Sequence, residues 1–223
     1  MLSDAGVAEP PLPSGVRLFT LEEIDSEPWR NGGGRTRTVA ASRLRGELVW
    51  RISAADIDAD GDFSAFDGMD RTAVLMRGEG LALRLSDQTL RLPRVGTVVR
   101  FPGEVPVRAC LAGAPARLWN VMVRRGLAQV DTQVLGVGSM PVLPGETVLV
   151  VLSGRVQVRA PGSGELLGVL SAGQGLICSG SRACLMLVGL AAIDALDEAP
   201  CWVRSALQTG GDRPPQSTLS SEK

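Results

Sequence analysis

From residue 16 to about residue 205 the apolar side chains fall in short runs, and nearly every run is closed by glycine, proline, aspartate or asparagine. A helix packed on a core needs apolar positions three and four apart over several turns, whereas a strand needs only a few extended residues between turns. Helical spacing is confined to a weak turn at 21–26 and another at 191–196, so the sequence predicts an all-β chain. Strands are expected over residues 16–19, 35–41, 48–56, 72–77, 80–85, 88–92, 98–101, 107–111, 117–123, 128–135, 147–152, 154–159, 165–170, 175–178 and 183–189.

Those strands contain a weak repeat. Val74-Leu75-Met76-Arg77-Gly78 and Gly96-Thr97-Val98-Val99-Arg100-Phe101 have counterparts in Val150-Val151-Leu152-Ser153-Gly154 and Gly173-Gln174-Gly175-Leu176-Ile177-Cys178, at nearly the same separation. A duplicated all-β unit implies two similar barrels, expected over 16–125 and 126–205. A leader at 1–15 and a tail at 206–223, rich in small residues and proline, are expected to be flexible.

Composition removes several function classes. The chain has no histidine and no tyrosine, and its only lysine is Lys223. Histidine-dependent nucleophilic catalysis, imidazole metal ligation and an internal Schiff base therefore have no residue to work with. A net charge of −1 gives no basic surface for nucleic acid. The longest apolar run, at 183–193, is too short to span a bilayer, and no basic and then apolar leader opens the chain, so a cytoplasmic protein is expected. Cys110, Cys178, Cys184 and Cys201 lack metal-ligand spacing and read as small buried hydrophobes; no metal and no cofactor are expected.

Three consecutive glycines, Gly32-Gly33-Gly34, sit between Trp29 and a run of arginines. Such a triplet suits backbone at positive φ or in close approach to another segment, and Arg30, Asn31 and Arg35 add hydrogen-bond donors. No phosphate-loop spacing or helix start follows it, so it reads as one wall of a small-molecule pocket rather than a nucleotide site. On the next strand Trp50, Ile52 and Ala54 face one way while Arg51, Ser53 and Ala55 face the other. Periodicity alone favours a solvent-facing polar side; if that side instead looks into a barrel, Arg51 and Ser53 need a ligand or partner. The series Asp56, Asp58, Asp60, Asp62 has some calcium-loop spacing but lacks the closing glutamate and flanking helices, and reads as a solvated turn. Asp70 and Arg71 suggest a charge pair at a strand mouth, and Asn120, a single asparagine in a buried run, reads first as a satisfied structural group.

In the second half, the segments Pro144-Gly145-Glu146, Ser153-Gly154-Arg155 and Gly173-Gln174-Gly175 resemble the core of a cupin, without the histidines by which cupins usually hold a metal. Across the chain, five blocks resemble the HutD/Ves family: Trp29-Arg30-Asn31-Gly32-Gly33-Gly34-Arg35-Thr36, Trp50-Arg51-Ile52-Ser53-Ala54-Ala55, the segment Gly61-Asp62-Phe63-Ser64-Ala65-Phe66-Asp67-Gly68-Met69-Asp70-Arg71, Phe101-Pro102-Gly103, and the segment from Asn120 to Gly126. Asp62 stands where that family usually has proline. The resemblance implies a bicupin, two double-sheeted barrels in one chain, that senses or modulates histidine utilisation by binding a small carboxylate such as formylglutamate or urocanate. The candidate contacts are Arg30, Asn31, Arg51, Ser53, Phe63, Ser64, Arg71 and Asn120. An alternative is an isomerase or hydrolase using Asp56 or Asp70 as general base, acting on a small polar metabolite. Free barrel edges leave room for a homodimer.

Overall fold

The structure is a computed structural model that describes residues 11–142, 145–179, 185–190 and 199–209. The expected leader before residue 11, Pro144, Cys184, the turn at 191–196 and the tail beyond residue 209 lie outside the described residues. The first half runs β1 (Val16–Thr20), a 3₁₀ turn (Leu21–Glu23), β2 (Ser26–Pro28), β3 (Gly34–Leu44), β4 (Glu47–Ile57), β5 (Gly61–Asp62), β6 (Met69–Arg77), β7 (Leu81–Arg84), β8 (Thr89–Leu92), β9 (Val98–Pro102), β10 (Arg108–Leu111) and β11 (Ala116–Arg124). The second half runs β12 (Ala128–Leu135), β13 (Gly138–Val142), β14 (Glu146–Ser153), β15 (Arg155–Arg159), β16 (Leu166–Ser171), β17 (Gln174–Cys178), β18 (Leu185–Gly189) and β19 (Cys201–Thr209). Strand β19 thus carries ordered chain to Thr209, past the expected start of the tail.

The strands form four antiparallel sheets in two matched pairs. The order β2-β3-β4-β11-β6-β9 faces β5-β10-β7-β8, and β12-β19-β14-β17-β1 faces β13-β18-β15-β16. The halves share one plan, with β12, β19, β14 and β17 standing for β4, β11, β6 and β9. The repeat blocks lie at corresponding places: Gly96 N–H donates to Leu75 O at 2.8 Å, and Gly173 N–H donates to Val151 O at 3.0 Å. Strand β1 breaks the symmetry. Although it precedes the first barrel in sequence, it pairs with β17 and completes the large sheet of the second.

Strand alternation sorts the apolar residues into three cores. Ile57, Leu75, Leu83 and Leu118 belong to the first barrel's interior, and Leu149, Val151, Leu176 and Trp202 to the second's. The third core lies between the large sheets, where Trp50, Ile52, Val74, Trp119 and Val121 pack against Val148, Val150, Ile177 and Val203. Within it, Trp119 Nε1 donates to Ser205 Oγ at 3.3 Å, and Thr132 Oγ1 lies 3.3 Å from the same hydroxyl.

The crossing from β1 to β2 is fixed at the edge of that core. Leu21 is fully buried, and Glu22 accepts from Arg117 Nη1 at 2.6 Å and Arg37 Nη2 at 3.2 Å. Both arginines also hold Asp56: Arg117 Nε lies 2.5 Å from Oδ1, and Arg37 Nη1 bonds Oδ2. Asp58, Asp60 and Asp62 are exposed, but Asp56 is buried, so the expected solvated turn begins only after it. Burial alone would raise the Asp56 pKa, yet the hydrogen bonds and charges of Arg117 and Arg37 outweigh it and hold the carboxyl below its usual range. Because the folded-state pKa is depressed, this contribution to stability is complete above the ordinary carboxylate range and is lost as pH falls through the folded value. Asp56→Asn leaves two buried guanidiniums short of a counter-charge. It is expected to cost about 3–5 kcal/mol at neutral pH, with less difference from the parent in acid, as read by urea denaturation at several pH values; an equal midpoint at neutral pH would remove the cluster's structural role.

Candidate functional site

Strand β4 supplies the polar face that periodicity singled out, and that face lines a cavity in the barrel rather than the open surface. Across β4, β11 and β6 the residues align in rows: Arg51, Met122 and Arg71 form one, and Ser53, Asn120 and Ala73 the next. The opposite face of these strands is the inter-sheet core, so both sides of the sheet are covered. The rows open on a cavity of about 580 Å³ inside the first barrel.

The glycine loop forms one wall. Trp29 N–H donates to Gly34 O at 2.9 Å and Gly32 N–H to Trp29 O at 3.0 Å, closing the hairpin between β2 and β3. Gly32 has φ +70°, a left-handed conformation that glycine adopts freely. Gly34 answers the other need, since a Cβ there would collide with the Asp56 carbonyl oxygen. Asn31 ties the loop together, its Oδ1 accepting from Gly33 N at 3.0 Å and its Nδ2 donating to Asp62 O at 3.3 Å. Trp29 Nε1 donates to Thr36 Oγ1 at 2.8 Å, and its ring meets Phe63 edge-on with centroids 5.7 Å apart.

All eight sequence candidates border this one cavity. Arg30, Asn31 and Ser64 are exposed at its rim, Phe63 is half-buried in its wall, and Arg51, Ser53, Arg71 and Asn120 form its floor. Arg35 does not border it. Trp29, Phe66 and Thr36 do. They lie in the same sequence blocks as the candidates; the directions of Trp29 and Phe66 in loops leave no periodic signal, and Thr36 stands on β3 opposite Ala55.

The floor is cationic. Arg71 is 7% exposed, and its Nη2 and Nε donate to Asn120 Oδ1 at 3.1 and 3.3 Å. Asn120 is therefore a partner of the buried cation and not an isolated core amide. The expected Asp70–Arg71 pair does not form: adjacent strand residues face opposite ways, and Asp70 instead accepts from Arg125 Nη1 at 2.7 Å. Phe101, Phe63 and Phe66 surround the Arg71 guanidinium at 5.0, 5.1 and 5.6 Å, and Phe66 also lies 5.3 Å from that of Arg51. Burial, with Arg51 nearby, lowers the Arg71 pKa to about 10. Burial lowers that of Arg51 too, against an opposing pull from Glu27. Arg51 Nη2 reaches only Met122 Sδ at 3.3 Å, while its Nε and the fully buried Ser53 Oγ have no hydrogen-bond partner among the described residues. Neither arginine has an ion-pair partner among the described residues. Two unengaged donors, Arg51 Nε and Ser53 Oγ, beside the desolvated Arg71 suit a small anion, above all a carboxylate, which two guanidiniums and a hydroxyl can share.

The alternative of a carboxylate base fits this geometry poorly. Asp56 lies on the opposite face of β4, saturated by two arginines, and Asp70 is on the surface; neither borders the cavity. Glu27 and Asp62 do border it but are exposed, and Asp62 pairs with Arg108 at 3.1 Å.

Two double-sheeted antiparallel barrels in one chain, back to back, define a bicupin, and a cupin 2 conserved barrel domain protein from Leptotrichia buccalis shares the fold at a TM-score of 0.54 and 9% identity, over 86% of this chain and 96% of its own. The chain belongs to the HutD family, whose profile matches residues 21–192. A conserved protein of unknown function from Pseudomonas aeruginosa PAO1 superposes with a TM-score of 0.73 at 24% identity, over 88% of this chain and 100% of that one. HutD from Pseudomonas fluorescens SBW25, in a formate condition, superposes at 0.70 with 21% identity over 86% and 99%. An uncharacterized 21.2 kDa protein of the hutC 3′ region of Pseudomonas putida is 32% identical over 111 residues, 49% of this chain and 58% of that protein's length. Among the described residues no helix is long and apolar enough to cross a membrane.

A matched pair of serines tests whether the floor is arranged for something other than stability. Ser53 and Ser205 are both fully buried, the first without a partner and the second bonded to Trp119 and close to Thr132. Ser205→Ala is expected to cost about 1–3 kcal/mol, while Ser53→Ala is neutral or slightly stabilising, both read by urea denaturation without added ligand. A comparable loss in both would mean that Ser53 has a structural partner.

Proposed function

We propose that the first barrel binds a small carboxylate metabolite, and that the chain works as a sensor or modulator of histidine utilisation without catalysing a reaction of its own. The observation that carries this reading is the floor of the cavity, where buried Arg71 and half-buried Arg51 lie side by side and neither has an ion-pair partner among the described residues. A buried charge is retained at a cost, and a ligand carboxylate would offset it. The cavity is much larger than formate, so an anion held at the floor leaves room for further atoms beside Trp29, Phe63 and Phe66. Formylglutamate and urocanate both fit that description. The link to histidine utilisation rests on family membership and on the hutC-region relative from Pseudomonas putida; the formate condition of the Pseudomonas fluorescens protein agrees with a carboxylate.

Calorimetric titration of the full chain with formate, urocanate and formylglutamate tests the reading directly. At least one is expected to bind and to raise the melting temperature with ligand concentration. Arg71→Gln and Arg51→Gln are each expected to weaken it by roughly 10- to 100-fold, the worth of a charged hydrogen bond. Affinity should fall as pH rises through about 10, where the depressed Arg71 pKa begins to remove the charge that the anion needs. Absence of both heat and thermal shift with all three compounds would sink the assignment.

A further inference from the structure

Because the barrels share one plan, each position in the first cavity has a counterpart in the second. The row Arg51, Met122, Arg71 corresponds to Asp131, Ala206, Thr147, and the row Ser53, Asn120, Ala73 to Gln133, Arg204, Leu149. Leu118, which borders the first cavity, corresponds to Trp202, whose bulk fills the deeper part of the second barrel. A smaller cavity of about 340 Å³ remains on the same face of the large sheet.

Gln129, Asp131, Thr147, Arg204 and Gln208 border that cavity. Glu146 borders it too, but its carboxylate accepts a hydrogen bond from Ser179 Oγ at 3.1 Å. The side chain of Arg204 is 16% exposed and its Nη2 donates to Asp131 Oδ2 at 2.5 Å, while its buried Nε has no partner among the described residues. Asp131 is 56% exposed on the edge strand β12. The two ends of this ion pair are therefore unequal: Asp131 can turn out into water, and the buried guanidinium cannot follow. An exposed carboxylate of this kind holds its partner weakly.

We infer that the second cavity is itself a site for a small monocarboxylate, in which Asp131 is an internal occupant that an external carboxylate displaces. Arg204, Thr147 and the two glutamines bring donors to the cavity, and Asp131 supplies an anion at the position where the first barrel has Arg51. The first barrel leaves its cations open; the second covers its cation with a carboxylate on a free edge. The inference does not depend on the ligand proposed for the first cavity.

The test uses the full chain carrying Arg71→Gln, so that the first cavity is weakened and acetate, titrated by calorimetry, reports on the second. Weak acetate binding is expected in this background. Adding Asp131→Asn should tighten it by up to about fivefold, since the competing internal group is gone. Adding Arg204→Gln should abolish it, and Thr147→Val should weaken it if the Arg204 variant does not fold, as judged by thermal melting. No acetate heat in the Arg71→Gln, Asp131→Asn protein would overturn the inference, and so would binding that is unchanged by both Arg204→Gln and Thr147→Val.

Discussion

Over β4, β11 and β6 neither face of the first barrel's large sheet lies on the open surface. One face carries Trp50, Ile52, Trp119 and Val121 into the layer between the barrels, and the other carries Leu118 and Leu75 into the barrel itself. Any polar side chain on these strands must therefore find a partner inside the molecule or face the cavity. The inter-barrel layer meets this demand with few polar atoms, Trp119 donating to a serine of the opposite sheet. The barrel side meets it differently, by grouping Arg51, Ser53, Arg71 and Asn120 along one cavity, with Arg71 bonded to Asn120 and the unmet Arg51 Nε and Ser53 Oγ beside them. The cavity is thus a consequence of which alternate positions are polar on three adjacent strands.

The same sheet contains two opposite treatments of a buried arginine. At one end Arg37 and Arg117 share Asp56 and Glu22, and the hydrogen bonds and charges exchanged outweigh the desolvation of the Asp56 carboxylate. On the floor, Arg71 receives one amide oxygen and three aromatic rings. Ring faces are worth about 0.5–2 kcal/mol each, less than a desolvated carboxylate supplies. The fall of the Arg71 pKa to about 10 corresponds to roughly 3 kcal/mol against the charged form. Three of the chain's four phenylalanines stand around that single guanidinium, which soften the deficit without cancelling it. The two sites thus treat a desolvated arginine in opposite ways: Arg117 is given carboxylates by the fold, and Arg71 is given an amide oxygen and rings.

Much of this was legible in the residues. Short apolar runs closed by turn formers specify strands, and the glycine pairs at 78 and 96 and at 154 and 173 mark the duplication because they punctuate the same hairpins. Arg51, Ser53 and Asn120 on the floor could be named because they interrupt apolar runs, and Arg30 and Asn31 at the rim because they flank the glycine triplet, whereas Phe63 and Ser64 came only with the resemblance to HutD/Ves. Which way that polar side faces could not be read, because an alternating strand looks the same whether its second face meets solvent or a cavity. Asp56 was misjudged for a related reason: four aspartates at alternate positions look like one turn, and only β3 and β11 on either side of β4 bring Arg37 and Arg117 onto the first of them. The exchange of β1 into the second barrel leaves no local signature, since pairing with β17 depends on a contact more than 150 residues away in sequence.

Duplication explains how one barrel could acquire an open cationic floor while the other stayed closed. Both large sheets offer a central strand with a polar residue at the same depth, Asn120 on β11 and Arg204 on β19. In the second barrel the neighbouring edge strand supplies Asp131, and a tryptophan occupies the deeper space. In the first, the strand equivalent to that edge is covered by β3, and β2 beyond it, so the chain returns over the mouth through Trp29 and the glycines. That covering hairpin is possible only because Gly34 lets β3 press against the Asp56 carbonyl. The glycine triplet and the floor arginines are therefore parts of one arrangement: the loop walls one side of the cavity, and the burial of Arg71 beside half-buried Arg51 strengthens their pull on a negative charge relative to the same residues on an open sheet.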